Sequence, residues 1–304
     1  MSRSHELIGK IICKEKYTEI YRVFADKKYA VVKGEALSLY AYDAPNMRQS
    51  SDVDILIPRM FLRDVEDSLR NNSFENEYLS RRDEVLLLSS SHQTLPWNKY
   101  LYPWGNLTVD LNFDIFWGEY EGKRVDIEGF LSDTVDIDIY GVKVKTLPPL
   151  KAMVQLILHH YKDMNSIYLL AARKSINRNM FKDVYYLLTN NLEDISIDRL
   201  YAISSEYGII PYVFYVLYYT NRIYSDATLG RYVETFRTRE GERLLNLYGL
   251  CEKERREWHV DFNTRLEAES AFPLIEKDLT DREKKKIEIN KKFFAGGSDG
   301  QAEN

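Results

Sequence analysis

The sequence predicts an α+β protein, with a mixed domain carrying a short mixed sheet over residues 1–146 and a mostly α-helical domain over residues 147–294. Three observations carry this prediction. Up to residue 146, short apolar runs of strand period alternate with stretches of helix period. From Leu147-Pro148-Pro149 to about Leu250 the helical period holds throughout. A chain of 304 residues also fits two domains of roughly 150 each and can bury a core without disulfides.

The elements follow in order. Residues 5–28 read as an amphipathic helix with the stripe Leu7, Ile8, Ile11, Ile12, Ile20, Tyr21 and Phe24. The β-type run Tyr29–Lys33 stops at Gly34, and a second helix extends from Glu35 to about Tyr42. Asp43–Ser51, with Pro45 and Asn46, is turn-rich. Asp52–Ile57 alternates as a strand and closes at Pro58; Phe61–Leu69 reads as a helix. Glu84–Ser89 and Leu107–Phe116 read as strands, separated by a polar and aromatic loop holding Pro96, Trp97, Pro103, Trp104 and Gly105. Val135–Tyr140 and Val142–Thr146 form a hairpin about Gly141.

Beyond it, Pro148 and Pro149 suit the first turn of a helix. Ser196 caps a helix that ends near Tyr207, with Gly208 as its stop. Residues 226–290 read as charged and helical, with an irregular stretch about Phe272-Pro273, and 295–304 as a disordered tail.

Composition excludes several classes of function. A net charge of −5 leaves no global basic field for a long nucleic acid, so bulk nucleic-acid binding is not expected. The longest greasy run, Ile209–Tyr219, falls short of the roughly 20 apolar residues that span a bilayer. Residues 1–28 carry charges throughout and show no apolar leader. Cys13 and Cys251 have no metal-ligand spacing and read as unpaired thiols of a reducing compartment. A cytoplasmic protein is the expectation. Tyr212, Tyr215 and Tyr219 recur at helical spacing; they read as core, with a stacking platform for a base as the alternative.

The chemistry concentrates in Val32-Lys33-Gly34-Glu35-Ala36-Leu37, then Arg48, then Ser51-Asp52-Val53-Asp54. A strand that ends in glycine and opens a helix brings backbone N–H groups and the positive helix end to one point, where a phosphate can approach closely. Lys33 and Arg48 are placed to add cationic contacts to a triphosphate. Asp52 and Asp54, two apart on a strand, project from one face about 6.6 Å apart. Carboxylates converging there repel unless a divalent cation lies between them, and hard oxygen ligands beside phosphates suit Mg²⁺. Asp110 lies in a second apolar-Asp-apolar element and shares a strand face with Asn112 and Asp114. If that strand neighbours Asp52–Ile57, Asp110 completes a three-carboxylate cluster able to hold two metals, with Asp114 as the alternative ligand.

This constellation resembles the nucleotidyltransferase superfamily with the DNA polymerase β-like fold. More narrowly, it is similar to uncharacterised bacterial nucleotidyltransferases marked by a Lys-Gly turn and an Arg…Ser-Asp-x-Asp strand, over roughly residues 5–225. The resemblance extends to the helix start at Leu147-Pro148-Pro149, to His159-His160-Tyr161-Lys162 and to the helix around Asp183. It implies a catalytic domain in residues 1–146, with Asp52, Asp54 and Asp110 as catalytic metal ligands. Asp110 would also assist deprotonation of an acceptor hydroxyl. Lys33, Gly34, Glu35, Arg48 and Ser51 would bind the nucleotide. The implied cofactor is Mg²⁺, two ions, with Mn²⁺ as a substitute; the implied partners are an NTP such as ATP and an unidentified hydroxyl-bearing acceptor. Two departures stand out: Glu35 puts a carboxylate where relatives carry small residues, and Asn112 stands where the motif commonly has His.

Competing readings bound this one. Asp136-Ile137-Asp138 repeats the Asp-x-Asp spacing without glycine, arginine or serine upstream, and reads as the solvent face of a hairpin. His159 and His160, adjacent on a helix, diverge and should not chelate one ion together. Asp183 and Arg173 read as a pair within the helical domain, with a contact to the base or acceptor as the alternative, and Arg282–Lys286 as a solvated helix face. Transfer to an RNA 3′ end, or a catalytically silent nucleotide- or partner-binding module, are the alternatives to a small-molecule, peptide or protein acceptor.

Overall fold

One mixed sheet of six strands organises the first 146 residues. In the computed structural model, which describes residues 3–45, 47–48, 50, 52–76, 85, 88, 91–117, 124–172 and 176–295, its strands are β1 (Ala30–Val32), β2 (Asp52–Leu56), β3 (Trp97–Leu101), β4 (Gly105–Asn112), β5 (Val135–Ile139) and β6 (Val142–Thr146). Their spatial order is β3-β4-β2-β1-β6-β5. β2 lies parallel to β4 and β1 to β6, and the other neighbours are antiparallel.

The α+β class is therefore as predicted, and period two explains the sheet's two faces. Val31, Val53, Ile55, Leu107, Val109 and Leu111 form one buried cluster with residues of helices α1 (Arg3–Phe24) and α3 (Leu62–Asn71). Alternation then turns Asp52, Asp54, Thr108 and Asp110 to the opposite face. The hairpin β5–β6 turns through Tyr140 and Gly141, both at positive φ (52° and 88°), the geometry that a two-residue turn between twisted strands requires. On β5, Asp136 and Asp138 are exposed, as expected of a solvent face.

Several expectations are corrected. Helix α1 ends at Phe24 and buries the row Cys13, Tyr17, Ile20 and Phe24, whereas Leu7, Ile8, Ile11 and Tyr21 are exposed. A thiol and a phenol interrupt the apolar pattern of that row, which conceals it in the sequence. Residues 97–101, read as part of a loop between prolines, form edge strand β3; Trp97 is buried while Asn98 and Tyr100 are exposed, a regular alternation. Strand β4 ends at Asn112, so Asp114 lies beyond it and not on a shared strand face. Of the expected strand Glu84–Ser89, only Val85 and Leu88 are among the described residues, and neither is in a strand. The expected tail lies outside the described residues except for Ala295.

The chain divides into two compact units, Met1–His159 with Asp183–Ile209, and His160–Lys182 with Ile210–Asn304. The first holds the sheet, helices α2 (Gly34–Tyr42) and α4 (Ile127–Phe130), and the opening turns of α5 (Pro149–Asn165). It also takes in the end of α7 (Arg178–Thr189) and all of α8 (Ile197–Glu206), which Ser196 caps by accepting from the Arg199 N–H. Asn190 and Asn191 donate to the carbonyls of Ala41 and Tyr40 at 2.9 Å each, tying down the last turn of α2.

The second unit contains α6 (Ile167–Ala172), α9 (Ile210–Tyr224), α10 (Ala227–Phe236), α11 (Arg239–Leu244), α12 (Phe262–Glu267), α13 (Phe272–Ile275) and α14 (Asp281–Ala295). Tyr212, Tyr215 and Tyr219 of α9 are fully buried, which makes them core and removes the base-stacking platform. Two features were not expected: a ribbon of β7 (Leu247–Tyr248) and β8 (Arg256–Glu257), and a short helix where Phe272-Pro273 reads as irregular, since proline is tolerated in a first turn. Among the described residues no helix is long and apolar enough to cross a membrane.

Candidate active site

The join between β1 and α2 is made by two consecutive residues at positive φ, Lys33 (62°) and Gly34 (48°). At Gly34 the left-handed backbone is free for glycine alone. Lys33, with ψ −153°, occupies a region that other residues adopt at a cost of about 1–3 kcal/mol. The corner presents the first turn of α2, whose N–H groups lack helical partners and carry the positive end of the helix dipole. Ser50 faces the corner: a Cβ at Gly34 would lie 3.5 Å from the Ser50 Cβ.

Register brings the carboxylates to this corner. β1 and β2 pair antiparallel with Val32 opposite Asp54, so β2 begins, at Asp52, where β1 turns into the corner. β2 and β4 pair parallel with Asp54 beside Asp110 and Asp52 beside Thr108. Neighbouring residues in register on parallel strands share a face, so Asp52, Asp54 and Asp110 gather on one patch of sheet, about 4.8 Å apart between strands. The geometric condition posed by the sequence, that Asp110 neighbour Asp52 and Asp54, is met.

The patch is ordered by its surroundings. Lys33 Nζ lies 2.7 Å from Asp54 Oδ1, with the two side chains 12% and 8% exposed, so the lysine faces the carboxylates. Ser50 Oγ donates to Asp52 Oδ1 at 2.7 Å. Asn112 Nδ2 donates to Asp54 Oδ1 at 3.4 Å and to the Asp110 carbonyl at 3.2 Å, a neutral donor in the position where the motif commonly has an imidazole. Asp114 is engaged in its own loop, accepting from the Phe116 N–H at 3.0 Å and lying 3.5 Å from Arg124; burial raises its pKa.

Glu35 lies in the first turn of α2, beside the corner. Its buried carboxylate accepts from the Tyr17 hydroxyl at 2.9 Å, and burial raises its pKa despite that bond and the nearby Lys16 and Arg48 charges. The same burial, then Glu35 itself, pushes the Cys13 thiol up to about 12. The carboxylate that reads as a departure beside phosphates is thus buried and held by the Tyr17 hydroxyl.

Arg48 Nε donates to Asp183 Oδ2 at 2.6 Å, and the Tyr42 hydroxyl donates to Oδ1 at 2.7 Å. Arg48 is therefore a partner of Asp183; the expected partner Arg173 lies outside the described residues, as does Ser51. Sequence reading missed Ser38, Tyr42, Ser50 and Tyr17 in this neighbourhood. No motif marks them: their partners lie from two to 141 residues away, and only the fold brings these together.

Asp52, Asp54 and Asp110 offer hard oxygen atoms on one sheet face, with the Lys33 ammonium bonded to Asp54, a donor set that suits Mg²⁺. A second group, on helix α5, corrects the view that neighbouring histidines must diverge: His159, His160 and Asp163 bring ligand atoms within 4.8 Å of one another. Its imidazoles would suit a softer ion.

A family model described as an uncharacterised nucleotidyltransferase matches residues 10–225, most of the span over which the motifs carry the resemblance. A crystal structure of an antigenic nucleotidyltransferase-like protein from Paracoccidioides brasiliensis is similar to this chain at 18% identity, covering 59% of this chain and 79% of that one, with a TM-score of 0.29. A search of curated proteins finds no match.

Proposed function

This chain belongs to the uncharacterised nucleotidyltransferase family, and from that premise we propose that it transfers a nucleoside monophosphate from an NTP to a hydroxyl acceptor, with release of pyrophosphate. A small molecule, a peptide or a protein would carry the hydroxyl. The observation that carries the proposal is the register of β2 on β4, which sets Asp110 beside Asp54 next to the Gly34 corner.

Each residue then has a role. The first turn of α2, opened by Gly34, receives the triphosphate through backbone N–H groups. Mg²⁺ held by Asp52, Asp54 and Asp110 would supply charge neutralisation and alignment of the attacking and leaving oxygens, a task for which two ions are usual. The acceptor oxygen forms its bond to the α-phosphorus as the bond from that phosphorus to the β-bridging oxygen breaks. Asp110 takes the hydroxyl proton and passes it to solvent. Pyrophosphate leaves with the electron pair, its charge met by the helix end and by Arg48. Lys33 offsets the carboxylate charge through Asp54. Catalysis of this kind is positioning and electrostatics.

Incubation of the full chain with each α-labelled NTP, Mg²⁺ and candidate acceptors tests the reading. Labelled acceptor and pyrophosphate are the expected products. Binding of NTP without pyrophosphate release in the presence of every acceptor class would instead indicate a silent module. The acidic net charge of −5 disfavours an RNA 3′ end as acceptor.

A further inference from the structure

We propose that Asp183 is a positioning residue for nucleotide binding: it fixes the Arg48 guanidinium so that its two Nη groups receive the β- and γ-phosphates of the NTP. The inference rests on the reading of the Gly34 corner as an NTP site. All residues concerned belong to the first compact unit.

The contact has a particular shape. An arginine paired with a carboxylate for structure alone favours a two-pronged bond, two N–H groups on two oxygens. Here only Nε of Arg48 is used, at 2.6 Å from Asp183 Oδ2, and the second oxygen is taken by Tyr42. One side of the guanidinium is anchored, its plane is set, and the end carrying Nη1 and Nη2 has no partner among the described residues. Exposure is lopsided in the same sense: the Asp183 side chain is 6% exposed and that of Arg48 27%. The anchor is out of water and the fork is within reach of it.

The backbone around Arg48 is held to α2 as well. The Arg48 N–H donates to Ser38 Oγ at 3.0 Å, and Ser38 Oγ donates to the Ala44 carbonyl at 2.6 Å. Ser50 lies against Gly34 and bonds to Asp52. Ala44 and Arg48 are thus tied to Ser38 of α2, and Ser50 lies at the phosphate corner. The charge of Arg48 is felt by Glu35 in the first turn of α2. A planar fork of N–H donors at that place matches phosphate oxygens, not a metal.

Calorimetric titration of the full chain with inorganic tripolyphosphate, Mg·ATP and AMP tests the assignment. Arg48→Ala and Asp183→Asn should each weaken tripolyphosphate and ATP about tenfold, the order of one charge-assisted phosphate contact, with AMP changed less than about twofold. The double variant should bind no more weakly than either single one, because Asp183 acts through Arg48. Tyr42→Phe, which keeps the ring, should give a smaller loss of the same selectivity and covers the case in which Asp183→Asn fails to fold. Arg48→Lys should not restore binding, since an ammonium lacks the fork. The assignment is overturned if Asp183→Asn and Tyr42→Phe bind tripolyphosphate as the parent does, if they weaken AMP equally, or if the Arg48 and Asp183 losses add. A parent protein that binds neither tripolyphosphate nor any NTP overturns the NTP site itself, and this inference with it.

Discussion

Asp54→Asn should leave the protein folded while removing its response to Mg²⁺, because two effects of opposite sign nearly cancel. Asp54 and Lys33 form a buried pair at 2.7 Å, and breaking such a pair costs about 3–5 kcal/mol when one charge is stranded. Asparagine keeps an oxygen acceptor in place for the ammonium, which reduces that cost. Against it stands the repulsion between Asp54 and Asp110, neighbours in register on adjacent strands. At a strand spacing of about 4.8 Å and an effective dielectric constant of about 20, that repulsion amounts to roughly 3.5 kcal/mol, and it vanishes in the variant. Asp110 also remains as counter-charge to Lys33.

The net change should fall within about 2 kcal/mol, a shift of a few degrees in melting temperature at about 2–4 °C per kcal/mol. Scanning calorimetry with and without 10-fold increments of Mg²⁺ and Mn²⁺ reads both halves of the prediction. The parent should rise in melting temperature with either ion, by linkage, and Asp54→Asn should not. Transfer activity should fall by more than the roughly 10–100-fold typical of losing an outer-shell partner of a metal ligand. A variant that melts far below the parent, or that keeps a full metal-dependent rise, would refute the balance of charges described for this patch.

Three further outcomes follow. Glu35→Gln should stabilise the protein at pH 7–8 and make no difference near pH 4. A carboxyl whose folded pKa is raised above its ordinary 4.5 gains stability from its proton, fully below that value and lost as pH rises through the folded one; glutamine removes that loss and still accepts from Tyr17. Melting curves across that pH range check it, and parallel curves for both proteins contradict it. Gly34→Ala should cost about 1–2 kcal/mol from the left-handed backbone, with no clash added because the nearest atom is at 3.5 Å, and should weaken tripolyphosphate binding if the corner shifts to relieve the strain. Cys13, buried and pushed up to about 12, should resist iodoacetamide at pH 8 in the native protein and react on unfolding; rapid native labelling found by mass spectrometry would mean that the packing of α1 around Cys13 opens.

What the sequence disclosed, and what it withheld, divides along physical lines. Gly34 and the Asp52–Asp54 strand were legible because their signals are local: a glycine that frees φ, and alternation of period two. The neighbourhood of Asp110 was inferable only as a condition, since strand order is a property of the whole sheet. Strand β3 was hidden between prolines that punctuate the sequence on both sides of an alternating run. The buried row of α1 was hidden because Cys13 and Tyr17, one weakly polar and one capped by a hydroxyl, break an apolar pattern, while the more hydrophobic Leu7, Ile8 and Ile11 lie exposed. The bond from Arg48 to Asp183 spans 135 residues and has no spacing to betray it. The burial of Glu35 could be read only from its bond to the Tyr17 hydroxyl, 18 residues away in the chain.

A divalent cation site shared by β2 and β4 is measured most directly by diffraction at a wavelength sensitive to manganese, from crystals grown with Mn²⁺ and ATP. Anomalous density should lie about 2.0–2.3 Å from carboxylate oxygens of both Asp54 and Asp110, with phosphate oxygens completing the shell. Density bound to only one of the two strands, or none there while nucleotide occupies the Gly34 corner, would contradict it.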